Sequence, residues 1–251
     1  MYGVGMAAGI LMYMFIFIYG AQIMQGIIEE KTSKVVEVII SSVRPFQLMM
    51  GKIIGLASVG LLQFAIWILL IPVLSSIVFG ALGLEVPNQQ MNSEVGNQGI
   101  LTIIGMLTEI PIGYMLFTFI FYFLGGYLMY GAMFAAVGSA VDSPAEAQQF
   151  MFPITIPLLI SYFGLFTIIL SSPQGTASVW LSMIPFTSPI AMMGRIAYGV
   201  PTWQLILSMI LLVCGFIFTT WVAARIYRVG ILMHGTKINY KVMAKWFMMK
   251  G

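Results

Sequence analysis

Glu29, Glu30, Lys31, Lys34, Glu37, Arg44 and Lys52 place seven of the chain's nineteen Asp, Glu, Lys and Arg residues in one segment, "EEKTSKVVEVIISSVRPFQLMMGK". Glu30 and Lys34 stand four apart with the acid first, the favourable order for an ion pair on a helix face. Mixed charge of this kind suits contact with a protein partner, whereas a lipid anchor tends to be basic. Asp142 and Glu146 form a second, acidic pair at the same spacing. Other chemistry is poorly supplied. A single histidine, His234, argues against His-based metal or triad chemistry, and a single cysteine, Cys214, against a disulfide framework or a cysteine metal site. The Gly51-Lys52 pair lacks the earlier glycine and following Ser or Thr of a phosphate-binding loop, so no ATPase motif is present.

The elements that must carry these charges are apolar. Hydrophobic residues make up 60% of the 251 and charged residues 8%, with mean hydropathy +1.00; a soluble domain carries about 25% charge. Several runs exceed the roughly 20 residues needed to cross a bilayer, and the period-two alternation of a membrane barrel is absent. The reading is an all-α polytopic membrane protein forming a single transmembrane domain over residues 1–251. Five spans are expected at 3–26, 53–80, 113–140, 150–171 and 203–224. Within these limits none contains Asp, Glu, Lys or Arg. That argues against a secondary transporter, a proton pump or a charge-ring channel, which keep ionisable groups at membrane depth. Energy for uphill transport would then come from another subunit.

Ten of the eleven Lys and Arg residues fall in segment 27–52 or the tail 225–251. The positive-inside rule assigns that side to the cytoplasm, together with the C-terminus and the 141–149 link, and puts Met1 outside. Loop 81–112 and connection 172–202 lie on the other side. Arg195, the one external basic residue, is expected to snorkel. The tail, with Trp246 and Phe247 near its end, is expected to rest on anionic lipid; nucleic-acid binding is a poor reading for six charges beside a membrane exit.

On a helix from 29 to 44, Val35, Val36, Ile39, Ile40 and Val43 share an arc of about 140°, opposite Glu30, Ser33, Lys34, Glu37, Ser41 and Arg44. Pro45 ends that helix. It would lie along the cytoplasmic membrane surface, as an anchor or as a docking element; the β-branched run "VVEVII" lowers its propensity. Small residues at Gly5 and Gly9, at Gly51 and Gly55, and at Gly131 with Ala135 mark helix contacts, within the chain or between copies. Pro72, Pro153 and Pro157 favour kinks. Gln63 and the aromatic third span, including Tyr122 and Tyr127, are candidates for a substrate path, against ordinary packing at helix and lipid interfaces.

The stretch "IEEKTSKVVEVIISSVRPFQLMMGKIIG" resembles a segment of ABC-2 type permeases of the sodium-efflux, NatB-like branch, through Glu29, Glu30, Lys31, Thr32, Lys34, Glu37, Val38, Ser41, Ser42, Val43, Pro45, Leu48, Gly51 and Lys52. "GSAVDSPAEAQQF", "IPFTSPIAMMGRIAYGVPTW" and "AARIYRVGILMHG" resemble the second cytoplasmic connection, the outer connection before the last span, and the final exit. The resemblance implies a coupling helix (Glu29, Glu30, Lys31, Lys34, Glu37, Arg44) and a second cytoplasmic contact at Asp142 and Glu146. It implies two short helices dipping into the membrane before the last span. The partners implied are a separate ATP-binding subunit holding ATP and Mg, and a second permease, identical or sister. This chain would bind no cofactor and catalyse nothing itself, moving substrate out through the cell inner membrane. The rivals are a membrane scaffold whose surface helix binds another cytoplasmic protein, and a secondary transporter or channel. In that branch one more span and a large extracytoplasmic domain usually precede the equivalent of Met1. A chain starting there is expected to be a truncated product, a shifted start or a reduced permease.

Overall fold

A computed structural model describes residues 2–40, 42–82, 112–233, 242 and 246. The side chains of Glu37, Ile40 and Pro72 lie outside that description, as do Ser41, His234, Phe247, most of loop 81–112 and the tail lysines. Among the described residues the fold is all-helical. The elements are α1 (Tyr2–Thr32), α2 (Val35–Ile40), α3 (Pro45–Leu82), α4 (Ile112–Ala140), α5 (Pro144–Gly164), α6 (Thr176–Met183), α7 (Ser188–Ile196) and α8 (Thr202–Gly230). A π turn, Leu165–Ile169, continues α5. Among the described residues five helices are long and apolar enough to span a bilayer: α1, α3, α4, α5 with its π turn, and α8. They are the five expected spans, most of them extended beyond the expected limits at the charged end.

Two compact units make up the chain, Met1–Ala57 with Thr118–Gly251, and Ser58–Phe117. The second holds the C-terminal part of α3 and the start of α4. All site geometry described below belongs to the first.

Helix α4 forms the core of the first unit, with Tyr122, Tyr127, Met129, Tyr130, Phe134 and Ala140 fully buried along it. Its small residues let other backbones approach. A Cβ on Gly138 would stand 2.7 Å from the Met24 carbonyl oxygen of α1, and one on Gly126 would meet Pro189 at 2.8 Å. Because the obstacle at Gly138 is backbone, no side-chain rotation relieves it. Gly138→Val is therefore expected to destabilise by about 2–3 kcal/mol through overpacking, measured as a lower unfolding midpoint in detergent. An unchanged midpoint would mean that α1 and α4 separate freely.

Gly5 and Gly9 serve contacts within the chain. A Cβ on Gly5 would lie 2.8 Å from Ala197 Cβ, and one on Gly9 would lie 3.3 Å from the Ile190 carbonyl oxygen. Gly51 and Gly55 have nothing within 4 Å of a built Cβ. Pro153 and Pro157 lie inside a continuous α5, where the helix also begins with Pro144. That N-terminus is built by sequence in a standard way: Ser143 is extended and accepts from the Glu146 amide at 3.3 Å, and Pro144 occupies the first turn where no amide partner is needed.

Before the last span come the two short helices that the resemblance implied. All nine residues of α7 are buried, and α7 lies along α1. A helix buried on every side must satisfy its polar groups internally. Ser161 Oγ donates to the Thr187 carbonyl at 2.8 Å, and Ser208 Oγ to that of Ser182 at 2.6 Å. Arg195 does not snorkel. Its side chain is fully buried, with Nε donating to the Pro173 carbonyl at 2.8 Å, Nη2 to Gln204 Oε1 at 3.0 Å, and Nη1 to Ser182 Oγ. Burial lowers its pKa from the ordinary value, but guanidinium starts so high that it stays charged. Spacing on one helix gave no sign of these partners, which come from three other segments.

Candidate functional site

The charged segment is not one helix. α1 continues through Thr32, so Glu29, Glu30 and Lys31 extend the first span. Thr32 Oγ1 then bonds back to the Ile28 carbonyl at 2.9 Å and Ser33 Oγ to that of Glu30 at 3.3 Å. Such local bonds compete with helix continuation. Lys34 turns left-handed, φ 59°, a conformation that ends helices and that a residue with a Cβ adopts at some cost. Only then does the six-residue α2 begin. Its β-branched composition explains its shortness. Of the expected apolar arc, Val36 is buried while Val35 and Val43 are exposed. Pro45 opens α3 at its first position, with the preceding Arg44 amide donating to Gln47 Oε1 at 3.4 Å.

The ion pairs differ from the expected Glu30–Lys34 pair. Glu30 Oε2 meets Lys52 Nζ of α3 at 2.7 Å, and Lys31 Nζ meets Asp142 Oδ1 at 2.8 Å. Lys31 is fully buried. Its ammonium also donates to the carbonyls of Ser139 at 2.9 Å, Val141 at 3.3 Å and Ala140 at 3.5 Å. Ser139 and Ala140 are the last residues of α4 and Val141 follows directly, so these are carbonyls that no helical amide satisfies, at the negative end of the helix dipole. Lys31 thus closes the α4 C-terminus and fastens α1 to the turn that starts α5. Glu146 belongs to the same turn: its Oε2 accepts from the Asp142 amide at 3.4 Å, close to a capping box. Glu30 Oε2, Lys52 Nζ and Asp142 Oδ1 are all shut off from solvent.

Two charge-bearing connections far apart in sequence are therefore one knot. It joins α1 to α3 through Glu30–Lys52, and α1 to the α4–α5 turn through Lys31–Asp142. Around it Glu29, Lys34, Arg44 and Glu146 are exposed, and only these present described charged side chains outward from the expected contact set. Lys31, expected on the docking face, is internal. Lys52 and the Ser139 carbonyl were missed as partners, since a contact across 108 residues leaves no spacing signal.

Of the expected path residues, Tyr122 and Tyr127 belong to the first unit and Gln63 to the second. Tyr122 and Tyr127 are buried, donating to the carbonyls of Leu205 at 3.5 Å and Ile53 at 3.0 Å. Tyr127 also packs edge-on to Tyr19 and stacks near Phe123. Their hydroxyls are committed to packing α4 against α8 and α3, while Gln63 lies in the other unit, exposed. Among the described residues no group of acidic, His and Cys side chains could hold a metal.

The family model for "ABC-2 family transporter protein" matches residues 2–225. The chain belongs to the ABC-2 transporter family. This ABC-2 chain is 29% identical over 234 residues to the uncharacterized protein YhaP of Bacillus subtilis, covering 93% of this chain and 52% of that protein. It is 26% identical over 236 residues to the uncharacterized protein MJ1024 of Methanocaldococcus jannaschii, covering 94% and 51%. The chain thus spans about half the length of these relatives. No solved structure matches. As an ABC-2 membrane component with five helices able to span a bilayer, it is a multi-pass membrane protein of a transporter family.

Proposed function

We propose that this chain is the permease subunit of an ABC-2 exporter in the cell inner membrane, its tail cytoplasmic, driven by ATP hydrolysed with Mg on a separate ATP-binding subunit. It would work as a pair with an identical or sister permease, and the NatB-like resemblance makes sodium efflux the finer reading to test. The observation that carries the proposal is the knot of Glu30–Lys52 and Lys31–Asp142 beneath exposed Glu29, Lys34, Arg44 and Glu146. Exposed mixed charges suit a protein partner, where they set orientation and association rate. The buried pairs give that partner leverage. A load on the α1–α2 turn reaches α1 directly, α3 through Lys52, and the α4–α5 turn through Asp142. Rigid helices joined by buried contacts move as discrete bodies.

In this reading the partner's closure tilts the α2 segment, and the knot passes that tilt to the helices around the substrate path. No group of this chain touches ATP. Co-purification with the ATP-binding subunit encoded beside the gene tests it. Glu37→Lys together with Lys34→Glu should lower retention about tenfold, roughly 1.4 kcal/mol, while leaving the unfolding midpoint unchanged. Retention that ignores the reversal would remove this segment as the docking site. Capture of a different cytoplasmic protein by the same charges, with no ATPase bound, would favour a scaffold.

A further inference from the structure

A cavity of about 300 Å³ lies between α4, α5 and α8 and has no part in the coupling geometry. Ala136 and Val137, Phe150 and Ile154, and Val222 and Ile226 line it from the three helices in turn, and its wall exposes no polar surface. Thr219, its one hydroxyl-bearing neighbour, donates that hydroxyl to the Phe216 carbonyl at 3.1 Å. Phe186 lines it at the level of Tyr130, whose hydroxyl donates to the Phe186 carbonyl at 2.7 Å.

We infer that this cavity holds one acyl chain of an anionic bilayer phospholipid, with the phosphate at Arg225. Three observations choose that occupant. A wall without polar surface would strand any hydrogen-bonding group placed inside, which rejects ions, peptides and polar solutes. The lining stretch of α8, Phe218 to Ile226, measures about 12 Å at 1.5 Å per residue, close to the ~15 Å depth of one leaflet's hydrocarbon. The cavity also sits at the end of the bundle where α4 and α8 finish and α5 starts, so a chain entering at headgroup level fills it from that end. Arg225 stands there, one helical turn past Val222 on the border of the lining face, its guanidinium 4.3 Å from the centre of the Trp221 ring. A guanidinium binds phosphate through paired donors, and tryptophan favours the bilayer interface. A free hydrocarbon would gain nothing from that arginine.

The test is photolabelling of the chain in lipid nanodiscs with phosphatidylglycerol carrying a diazirine at its acyl tip, with adducts mapped by peptide mass spectrometry. Adducts are expected on 133–137, 150–154 and 218–226, saturable near one per chain. Filling the cavity with Val222→Trp or, separately, Ala136→Leu should cut them about tenfold in samples that remain monodisperse and helical. Arg225→Ala should lower phosphatidylglycerol labelling without changing labelling by a diazirine-bearing free hydrocarbon. Adducts no denser there than on the exposed face of α3, or insensitive to both fillings, overturn the inference. So does labelling by the hydrocarbon but not the phospholipid, which would make the cavity a site for small apolar molecules. Should neither filled variant fold, the map and its saturation on the unaltered chain decide alone.

Discussion

Replacing Arg195 with methionine lowers the unfolding midpoint by about 8–16 °C, the expected consequence of losing about 4 kcal/mol in a protein of this size. The guanidinium is fully buried and serves Pro173, Ser182 and Gln204 at once. Hydrogen bonds to a charged group contribute about 1.5–3 kcal/mol each, and each buried partner left unpaired costs about 1–3 kcal/mol. Methionine fills much of the volume, so the loss is one of polar satisfaction and not of a cavity. Arg195→Lys keeps the charge but not the fork of donors, and recovers less than half of the loss. The measurement is thermal unfolding of both variants in one detergent. A midpoint shifted by less than about 2 °C for methionine would show that α6, α7 and α8 hold together without the arginine.

Lys31→Met is the second large effect. Removing one partner of a buried pair costs about 3–5 kcal/mol, because the other charge is left behind. Asp142 retains 29% of its side-chain exposure, so water recovers part of that, and about 3 kcal/mol is the expectation, or roughly 6–12 °C. The three carbonyls at the end of α4 also lose their shared donor. Asp142→Asn added to Lys31→Met should cost little more, since the stranded charge is gone. Full additivity of the two substitutions would mean that the pair does not interact. On the proposed coupling, export measured at temperatures where Lys31→Met is folded should fall while co-purification of the ATP-binding subunit persists, because the substitution would loosen transmission and leave the exposed charges in place.

Both residues show where sequence reading stops. Lys31 was legible as one of a charged group and Arg195 as an isolated cation beside a span, and each was assigned to the surface. Charge density predicts exposure on average, and it fails where a cation caps a buried helix end, as Lys31 does, or ties helices together from a buried position, as Arg195 does. The helix expected from 29 to 44 failed for a local reason. Thr32, Ser33 and a left-handed Lys34 offered the backbone bonds that compete with the helix, and periodicity weighs none of them. Aromatic composition is the same for a pore wall and a core, so the sequence could not say where the hydroxyls of Tyr122 and Tyr127 would go; the structure directs them to the carbonyls of Leu205 and Ile53.

By itself the sequence determined that the chain is helical and multi-pass, where its five spans lie, and which family it resembles. Those properties depend on runs of apolar residues, on proline and charge placement between them, and on short motifs, all local along the chain. Only the tertiary structure decided that Glu30 pairs with Lys52 across 22 positions and Lys31 with Asp142 across 111. It also decided that α7 is buried on every side and that α4, α5 and α8 leave an apolar cavity between them. Contacts between distant segments arise from how helices pack at close backbone approaches such as Gly138 on Met24, and a three-dimensional fit of that kind has no period to read.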